Sequence, residues 1–144
     1  ILAYVNNNRE CLKNRPQSFQ HGDYHIGNMM MRDGELVIID FDRFSFGDPW
    51  EEFNRIVWCA QKVPFFGAGM LDGYFDFAIP EAFWWCLAFY IGSNTLASIS
   101  WAMDFGEGEI AVMKQQAKEV LCWYDNFKTV YPGWYLKCKR ELKI

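Results

Sequence analysis

The stretch that decides the fold reads His21-Gly22-Asp23-Tyr24-His25-Ile26-Gly27-Asn28 and continues into two short apolar runs, residues 29–32 and 35–39. The first part is rich in glycine and polar groups, which is typical of a loop. Asp33-Gly34 separates the two runs. Because Asp-Gly between apolar runs is the sequence of a tight two-residue turn, this stretch predicts a β-hairpin.

The predicted hairpin brings two oxygen-bearing side chains to the same end of the ribbon. Asn28 immediately precedes the first strand, and Asp40 immediately follows the second. Paired positions of an antiparallel ribbon lie about 4.5–5.5 Å apart, so we expect both side chains to face one small volume. Mg²⁺ takes oxygen ligands and needs one or two from the protein when substrate phosphates supply others. Asp23, in the same loop, is available as a proton acceptor.

The rest of the chain reads as mostly helical. Residues 1–15 predict a helix ended by Pro16, residues 18–20 a short extended segment, and residues 40–48 an irregular one. Pro49 fits the first turn of a helix with Asp48 as its N-cap. The further predicted helices cover residues 50–62, 65–77, 80–102 and 107–128. We therefore expect an α+β fold, mostly α, with residues 1–144 forming a single domain.

Composition limits the class of protein. The chain has 144 residues, 51% of them apolar and 22% charged, with a formal net charge of −4. This balance indicates a globular domain, and its acidity argues against a nucleic-acid partner. The five cysteines form no CxxC pair, so neither a disulfide framework nor a zinc site is indicated. A reducing, cytoplasmic location is expected.

One uncharged stretch is long enough to span a bilayer. Residues 82–103 carry no charge, but Gly92-Ser93-Asn94-Thr95 lies in their middle. The flanking residues, Glu81 and Asp104, are acidic and set no membrane orientation. We therefore expect a buried core helix and no membrane partner. Four aromatic residues of this helix are expected in the core: Trp84, Trp85, Phe89 and Tyr90.

Three motifs now carry a resemblance. HGDYHIGN at residues 21–28, IIDFD at residues 38–42 and GDP at residues 47–49 occur in the order and at the spacing of the aminoglycoside phosphotransferase and choline kinase family. The chain resembles the catalytic region of that family over residues 19–49. The resemblance implies a protein-kinase-like fold and the ATP- or GTP-dependent phosphorylation of a hydroxyl on a small molecule.

The resemblance also implies roles for individual residues. Asp23 would accept the proton of the substrate hydroxyl, while Asn28 and Asp40 would hold Mg²⁺ on the nucleotide phosphates. His21 would support the loop, and Asp48 would tie the loop to the helix that follows.

The resemblance leaves other points open. It does not assign a definite functional role to His25 or to Asp42. Because the first residue is Ile1 rather than Met, we expect the sequence to continue upstream. Only twenty residues precede His21, and none of them forms the phosphate-covering loop or supplies the nucleotide-binding lysine of the family. The chain is therefore expected to be a C-terminal lobe that is inactive alone.

Each residue also has an ordinary structural explanation. Asp23 is the kind of residue that caps a loop, Asn28 and Asp40 are common in turns, and Asp48 fits a helix start. Their joint placement, with both histidines of the chain within five residues, favours a functional site. The other acidic residues are expected to form a solvated face rather than a site for a cationic acceptor. These are Asp72, Asp76, Glu81, Asp104, Glu107 and Glu109.

Two further functions remain as alternatives. Gly22-Asp23-Tyr24-His25 also fits the start of a two-metal phosphoesterase motif, but that site requires more histidines and none follows His25. A non-catalytic structural or dimerising lobe is the second alternative. It would self-associate through the apolar surface left near the hairpin by a missing partner lobe.

Overall fold

The computed structural model describes residues 1–142. The helices are α1 (Leu2–Asn7), α2 (Ile56–Lys62), α3 (Pro64–Tyr74), α4 (Glu81–Ala102), α5 (Glu107–Trp123) and α6 (Gly133–Leu142). The strands are β1 (Ser18–Gln20), β2 (Met29–Arg32), β3 (Glu35–Ile38) and β4 (Ser45–Gly47). Short 3₁₀ segments cover Arg9–Leu12, Ile26–Asn28, Glu51–Arg55 and Met103–Phe105. The molecule is thus mostly helical, as predicted, and it has two small antiparallel sheets where one hairpin was expected.

The hairpin predicted around Asp33-Gly34 is present. Strands β2 and β3 pair antiparallel, with Met29 opposite Ile38 and Arg32 opposite Glu35. Asp33 and Gly34 have φ values of 53° and 85°, so both turn residues lie in the left-handed region. Asp and Gly tolerate this conformation, and it matches the twist of the two strands. The local sequence therefore sets the register of the ribbon.

The second sheet was only half predicted. β1 forms where an extended segment was expected, but it pairs with β4, in the segment predicted to be irregular. Phe19 lies opposite Phe46 in this pairing. A three-residue strand gives no periodic signal of its own, and its partner is more than twenty residues away. The prediction for residues 45–47 is wrong for that reason.

Several helix ends differ from the prediction. α1 ends at Asn7, well before Pro16, where the Asn8 side chain donates to the Tyr4 carbonyl at 2.8 Å. Asparagine side chains compete in this way for the backbone bonds of a helix. α5 ends at Trp123 rather than near residue 128, because residues 125–127 adopt left-handed backbone. α6 lies beyond the last predicted helix and was not predicted.

The hydrophobic core is built around α4. Leu87, Ala88 and Ile91 are fully buried and belong to one cluster with residues of α2, α3, α5 and α6. Burying a side chain such as Leu87 contributes about 1.5–3 kcal/mol to the free energy of unfolding. The expectation of a core helix over residues 82–103 is therefore confirmed. No helix among residues 1–142 combines the length and apolarity needed to cross a membrane.

Two expectations about burial are wrong. Trp85 is 42% exposed, because it lies on the face of α4 turned away from the cluster. Asp72 is buried rather than solvated. Its carboxylate accepts hydrogen bonds from the Tyr135 hydroxyl at 2.7 Å and the Lys139 ammonium at 3.0 Å. Burial of this charge is possible because it is both paired and hydrogen-bonded.

The 3₁₀ segment Glu51–Arg55 links the core to the loop of residues 21–28. Phe53 is buried and packs edge-on against Phe83 at 5.6 Å and Tyr74 at 4.9 Å between ring centroids. This anchor fixes the positions of its neighbours, Glu52 and Arg55. Both of these side chains reach the loop of residues 21–28.

Candidate active site

The backbone of the loop begins with a turn that only glycine allows. Gly22 has a φ of 81°, and a Cβ at this position would lie 2.0 Å from the Arg43 carbonyl oxygen. The left-handed backbone and the close approach both exclude a larger residue. The turn therefore brings the loop directly against the segment that follows β3.

His21 is buried and makes two hydrogen bonds within the site. Its Nε2 donates to the Ile39 carbonyl at 2.8 Å, and its Nδ1 accepts the Asp23 backbone N–H at 3.2 Å. The two partners fix the neutral tautomer, with the proton on Nε2. The imidazole thus joins the loop to the end of β3.

The carboxylate of Glu52 holds the start of the loop from the other side. It accepts the backbone N–H of His21 and that of Gly22, the second at 2.9 Å. Hydrogen bonds to a charged acceptor are stronger than those between neutral groups. Glu52 was not predicted as a site residue, and its only signal in the sequence is the pair of acidic residues that opens the helical segment after Pro49.

Asp23 presents its carboxylate beside two basic side chains. Arg55 Nε lies 3.3 Å from Oδ1, and His25 Nε2 lies 3.7 Å from Oδ2. His25 Nδ1 accepts the Gly27 N–H at 3.0 Å, so the ring nitrogen that faces Asp23, Nε2, bears a hydrogen. The carboxylate therefore has a basic side chain on each side, and both contacts are electrostatic contacts rather than hydrogen bonds.

Asn28 is held by its amide nitrogen and by its backbone. Nδ2 donates to the Asp23 carbonyl at 2.9 Å, so the amide oxygen is the atom that Asn28 offers to a ligand. Its own carbonyl accepts the Ile39 N–H at 3.0 Å, which extends the hairpin ladder by one pair. Asp40 follows directly, with a φ of 65°. The structure thus brings the backbones of these two predicted ligands to the same end of the hairpin.

The two acidic residues after β3 are exposed. Neither Asp40 nor Asp42 takes part in an ion pair with another residue of the described chain. Within residues 1–142 there is also no group of three or more His, Cys, Asp or Glu side chains able to hold a metal. The side-chain oxygens of Asn28 and Asp40 are of the kind that Mg²⁺ binds when substrate phosphates supply its other ligands.

Asp48 is the centre of a buried network at the base of the site. Arg15 donates to both carboxylate oxygens at 2.7 and 2.9 Å, and the Tyr90 hydroxyl donates at 2.8 Å. The Trp50 N–H donates at 3.0 Å, which is the capping contact of a helix start. Burial acts to raise the pKa of Asp48, but these hydrogen bonds outweigh it and hold the pKa below its ordinary value.

The network also ties three separate parts of the chain together. The Arg15 guanidinium stacks on the Trp50 ring at 3.4 Å, and Gln20 Nε2 donates to the Asp48 carbonyl at 2.7 Å. Neither Arg15 nor Tyr90 was identified from the sequence as a partner of Asp48. Both lie more than thirty residues from Asp48 in the chain, so no local pattern could have linked them.

A cavity of about 460 Å³ lies beside Asp23. Asp23, His25 and Arg55 line it, whereas Asn28 and Asp40 do not. Asp23 therefore faces the cavity with its side chain and holds Asn28 with its backbone carbonyl. A molecule in the cavity and an ion at the end of the hairpin would both lie next to this one residue.

Comparisons with known proteins bear on the family and the fold of the chain. A sequence profile described as the phosphotransferase enzyme family matches residues 3–85. Two solved structures of thermostable mutants of the aminoglycoside phosphotransferase APH(4)-Ia share the fold, with TM-scores of 0.59 and 0.58 at 18% identity. One is a ternary complex with ADP and hygromycin B, and the other with AMP-PNP and hygromycin B. The match covers 83% of this chain and 43% of each of those chains. No curated protein sequence matches.

The Asp48 network predicts a pH-dependent contribution to stability. Because the folded-state pKa of Asp48 is depressed, its contribution is present above the ordinary carboxyl pKa and is lost as the pH falls through the folded value. Asp48→Asn is expected to lower the free energy of unfolding by about 1–3 kcal/mol at pH 7, and by less below about pH 4. Urea unfolding at several pH values measures this difference.

The control for this prediction is Asp33→Asn at the hairpin turn, whose side chain is 94% exposed. It removes the same charge without touching the network and is expected to leave stability unchanged. A destabilisation by Asp48→Asn that stays constant from pH 7 to pH 3 would contradict the assignment.

Proposed function

Because the chain belongs to the phosphotransferase enzyme family, we propose that it forms the catalytic lobe of an enzyme that transfers a phosphoryl group from ATP or GTP to a hydroxyl of a small molecule. The observation that carries the proposal is the position of Asp23. Its carboxylate opens on the cavity, and its carbonyl holds Asn28 at the end of the hairpin that leads to Asp40. Acceptor and phosphoryl donor would thus meet at one residue.

In this proposal Asp23 accepts the proton of the acceptor hydroxyl. Arg55 and His25, at 3.3 and 3.7 Å from its two oxygens, limit the rotation of the carboxylate. The loose transition state of phosphoryl transfer requires little strength from the base, so orientation is the main requirement. His21, Glu52 and the turn at Gly22 keep the loop in place for this task.

The proposed ligands of Mg²⁺ are the amide oxygen of Asn28 and the carboxylate of Asp40. Their number and type fit an ion that shares its coordination with nucleotide phosphates. When bound, Mg²⁺ would neutralise charge on those phosphates. Asp48 has a supporting role, since its carboxylate is fully engaged with Arg15, Tyr90 and Trp50.

The base assignment predicts a large loss of turnover in the full-length enzyme on substitution. Asp23→Asn removes the proton acceptor but keeps the size of the side chain, and kcat is expected to fall by about 10²–10⁴. The assay is ADP or GDP release with Mg²⁺ and a panel of small hydroxyl compounds. Asp33→Asn is the matched control and should keep its turnover. If Asp23→Asn stays within about tenfold of the unsubstituted enzyme, the assignment is wrong.

The 144-residue chain alone is expected to be inactive. It spans 43% of the length of the two solved structures, and it lacks a sequence for covering the nucleotide phosphates. The same assay on this polypeptide should therefore give no product above background, while the full-length protein turns over. Ordinary turnover by the 144 residues would contradict this part of the proposal.

A non-catalytic, self-associating lobe is the second candidate, and one surface favours it. Phe19, Phe41, Phe44 and Phe46 form a phenylalanine cluster on the β1–β4 side of the molecule. Phe19 lies 6.0–6.3 Å from each of the other three ring centroids, and all four side chains are 43–72% exposed. Contiguous exposed apolar surface of this kind is typical of an interaction site.

The phenylalanine cluster predicts concentration-dependent association of the isolated chain. Sedimentation velocity over a range of concentrations should show dimers or larger species, and Phe46→Ser should reduce them. Phe105→Ser is the control, because it removes an exposed ring (61%, against 72% for Phe46) on another part of the surface. It should leave the association unchanged. A chain that remains monomeric at every concentration would rule out this candidate.

A further inference from the structure

The cavity beside Asp23 has a lining whose charges are balanced. Two carboxylates line it, Asp23 and Glu109, together with two guanidinium groups, Arg43 and Arg55. Arg55 is already paired with Asp23. A ligand with several ammonium groups would therefore meet one carboxylate, Glu109, and one guanidinium, Arg43, that are both unpaired within residues 1–142. Such a lining repels a polycation as much as it attracts it.

The walls of the cavity instead offer flat aromatic surface. Trp58 lines it from α2, and Trp101 lines it from the end of α4. Trp101 is 46% exposed, and its ring packs against Phe105 at 4.3 Å between centroids, which limits its rotation. Indole rings provide large, rigid apolar contact area for the apolar face of a ring compound. The volume of about 460 Å³ suits a ligand of that size.

The polar groups that complete the lining are mostly uncharged. Gln116 is 3% exposed, and its Nε2 donates to Gln61 Oε1 at 3.0 Å. Gln61 in turn donates to Glu119 at 2.6 Å. This chain of hydrogen bonds fixes the amide of Gln116, so its oxygen is the atom left to accept from a ligand. Asn94 and Ser98 add further neutral groups, which match hydroxyls rather than ammonium groups.

We propose that this cavity takes an uncharged or singly charged polyhydroxylated ring compound with an apolar face, such as a glycoside, and discriminates against polycations. The inference rests on the proposed function, because it makes such a compound the acceptor whose hydroxyl gives its proton to Asp23 and receives the phosphoryl group of ATP or GTP. It goes further by naming the class of acceptor. The cavity is lined by residues of this chain, so binding can be measured without turnover.

The test compares dissociation constants of the chain for phenyl glycosides of glucose, galactose and mannose with that for the polycation kanamycin, by calorimetry at low and high salt. At least one glycoside is expected to bind about tenfold more tightly than kanamycin, with little dependence on salt. Trp101→Ala should weaken glycoside binding about tenfold. Trp85→Ala, on the same helix but outside the cavity, is the control.

A charge variant tests the discrimination directly. Arg43→Glu makes the balanced lining net acidic, so it should strengthen kanamycin binding while glycoside binding changes little. Circular dichroism and urea midpoints confirm that each variant is folded. Three results would each overturn the inference. Kanamycin could bind more tightly than every glycoside, or the folded chain could bind no glycoside. Trp101→Ala and Trp85→Ala could also weaken glycoside binding equally.

These results are separable from the proposed function. If a glycoside binds in the Trp101-dependent manner but the full-length enzyme phosphorylates no hydroxyl compound of the panel, the ligand class stands and the kinase proposal is contradicted. If phosphorylation requires Asp23 but only polycations are phosphorylated, the kinase proposal stands and the proposed ligand class is contradicted.

Discussion

The hydrogen bond from the Ile39 N–H to the Asn28 carbonyl is the contact on which the rest of the candidate site depends. It closes the ladder of the hairpin at the end opposite the turn, where Ile39 pairs with Asn28 and Asp40 follows in the chain. Without this register, the backbones of Asn28 and Asp40 would not lie at the same end of the hairpin. His21 strengthens the same junction, since its imidazole donates to the carbonyl of Ile39.

Two carboxylates attach this polar region to the helical body. Glu52 holds the backbone at the start of the loop, and Asp48 joins the segment before β1 to α4 through Arg15 and Tyr90. Both acidic residues lie in or next to the short segment anchored by Phe53 in the core. The apolar packing around α4 therefore determines where the loop lies, and the ionic contacts determine its conformation. Asp23 owes its orientation to this combination.

The parts of the structure that local sequence encodes were predictable. Asp33-Gly34 between apolar runs predicted the hairpin, and the uncharged run after Glu81 predicted α4. The contacts that were missed join residues far apart in the chain. Asp72 was expected to be solvated because its partners, Tyr135 and Lys139, lie more than sixty residues away. The same reason hid the roles of Arg15 and Glu52, because composition and periodicity carry no information about such pairs.

The most direct test of the central claim is paramagnetic broadening of backbone amide signals by Mn²⁺, used in place of Mg²⁺, in the presence of ADP. If the hairpin gathers one ion between Asn28 and Asp40, the amides of residues near 28 and 40 should broaden first, and Asp40→Asn should weaken the effect. Broadening centred on the acidic start of α5, or spread evenly over the exposed carboxylates, would contradict the account.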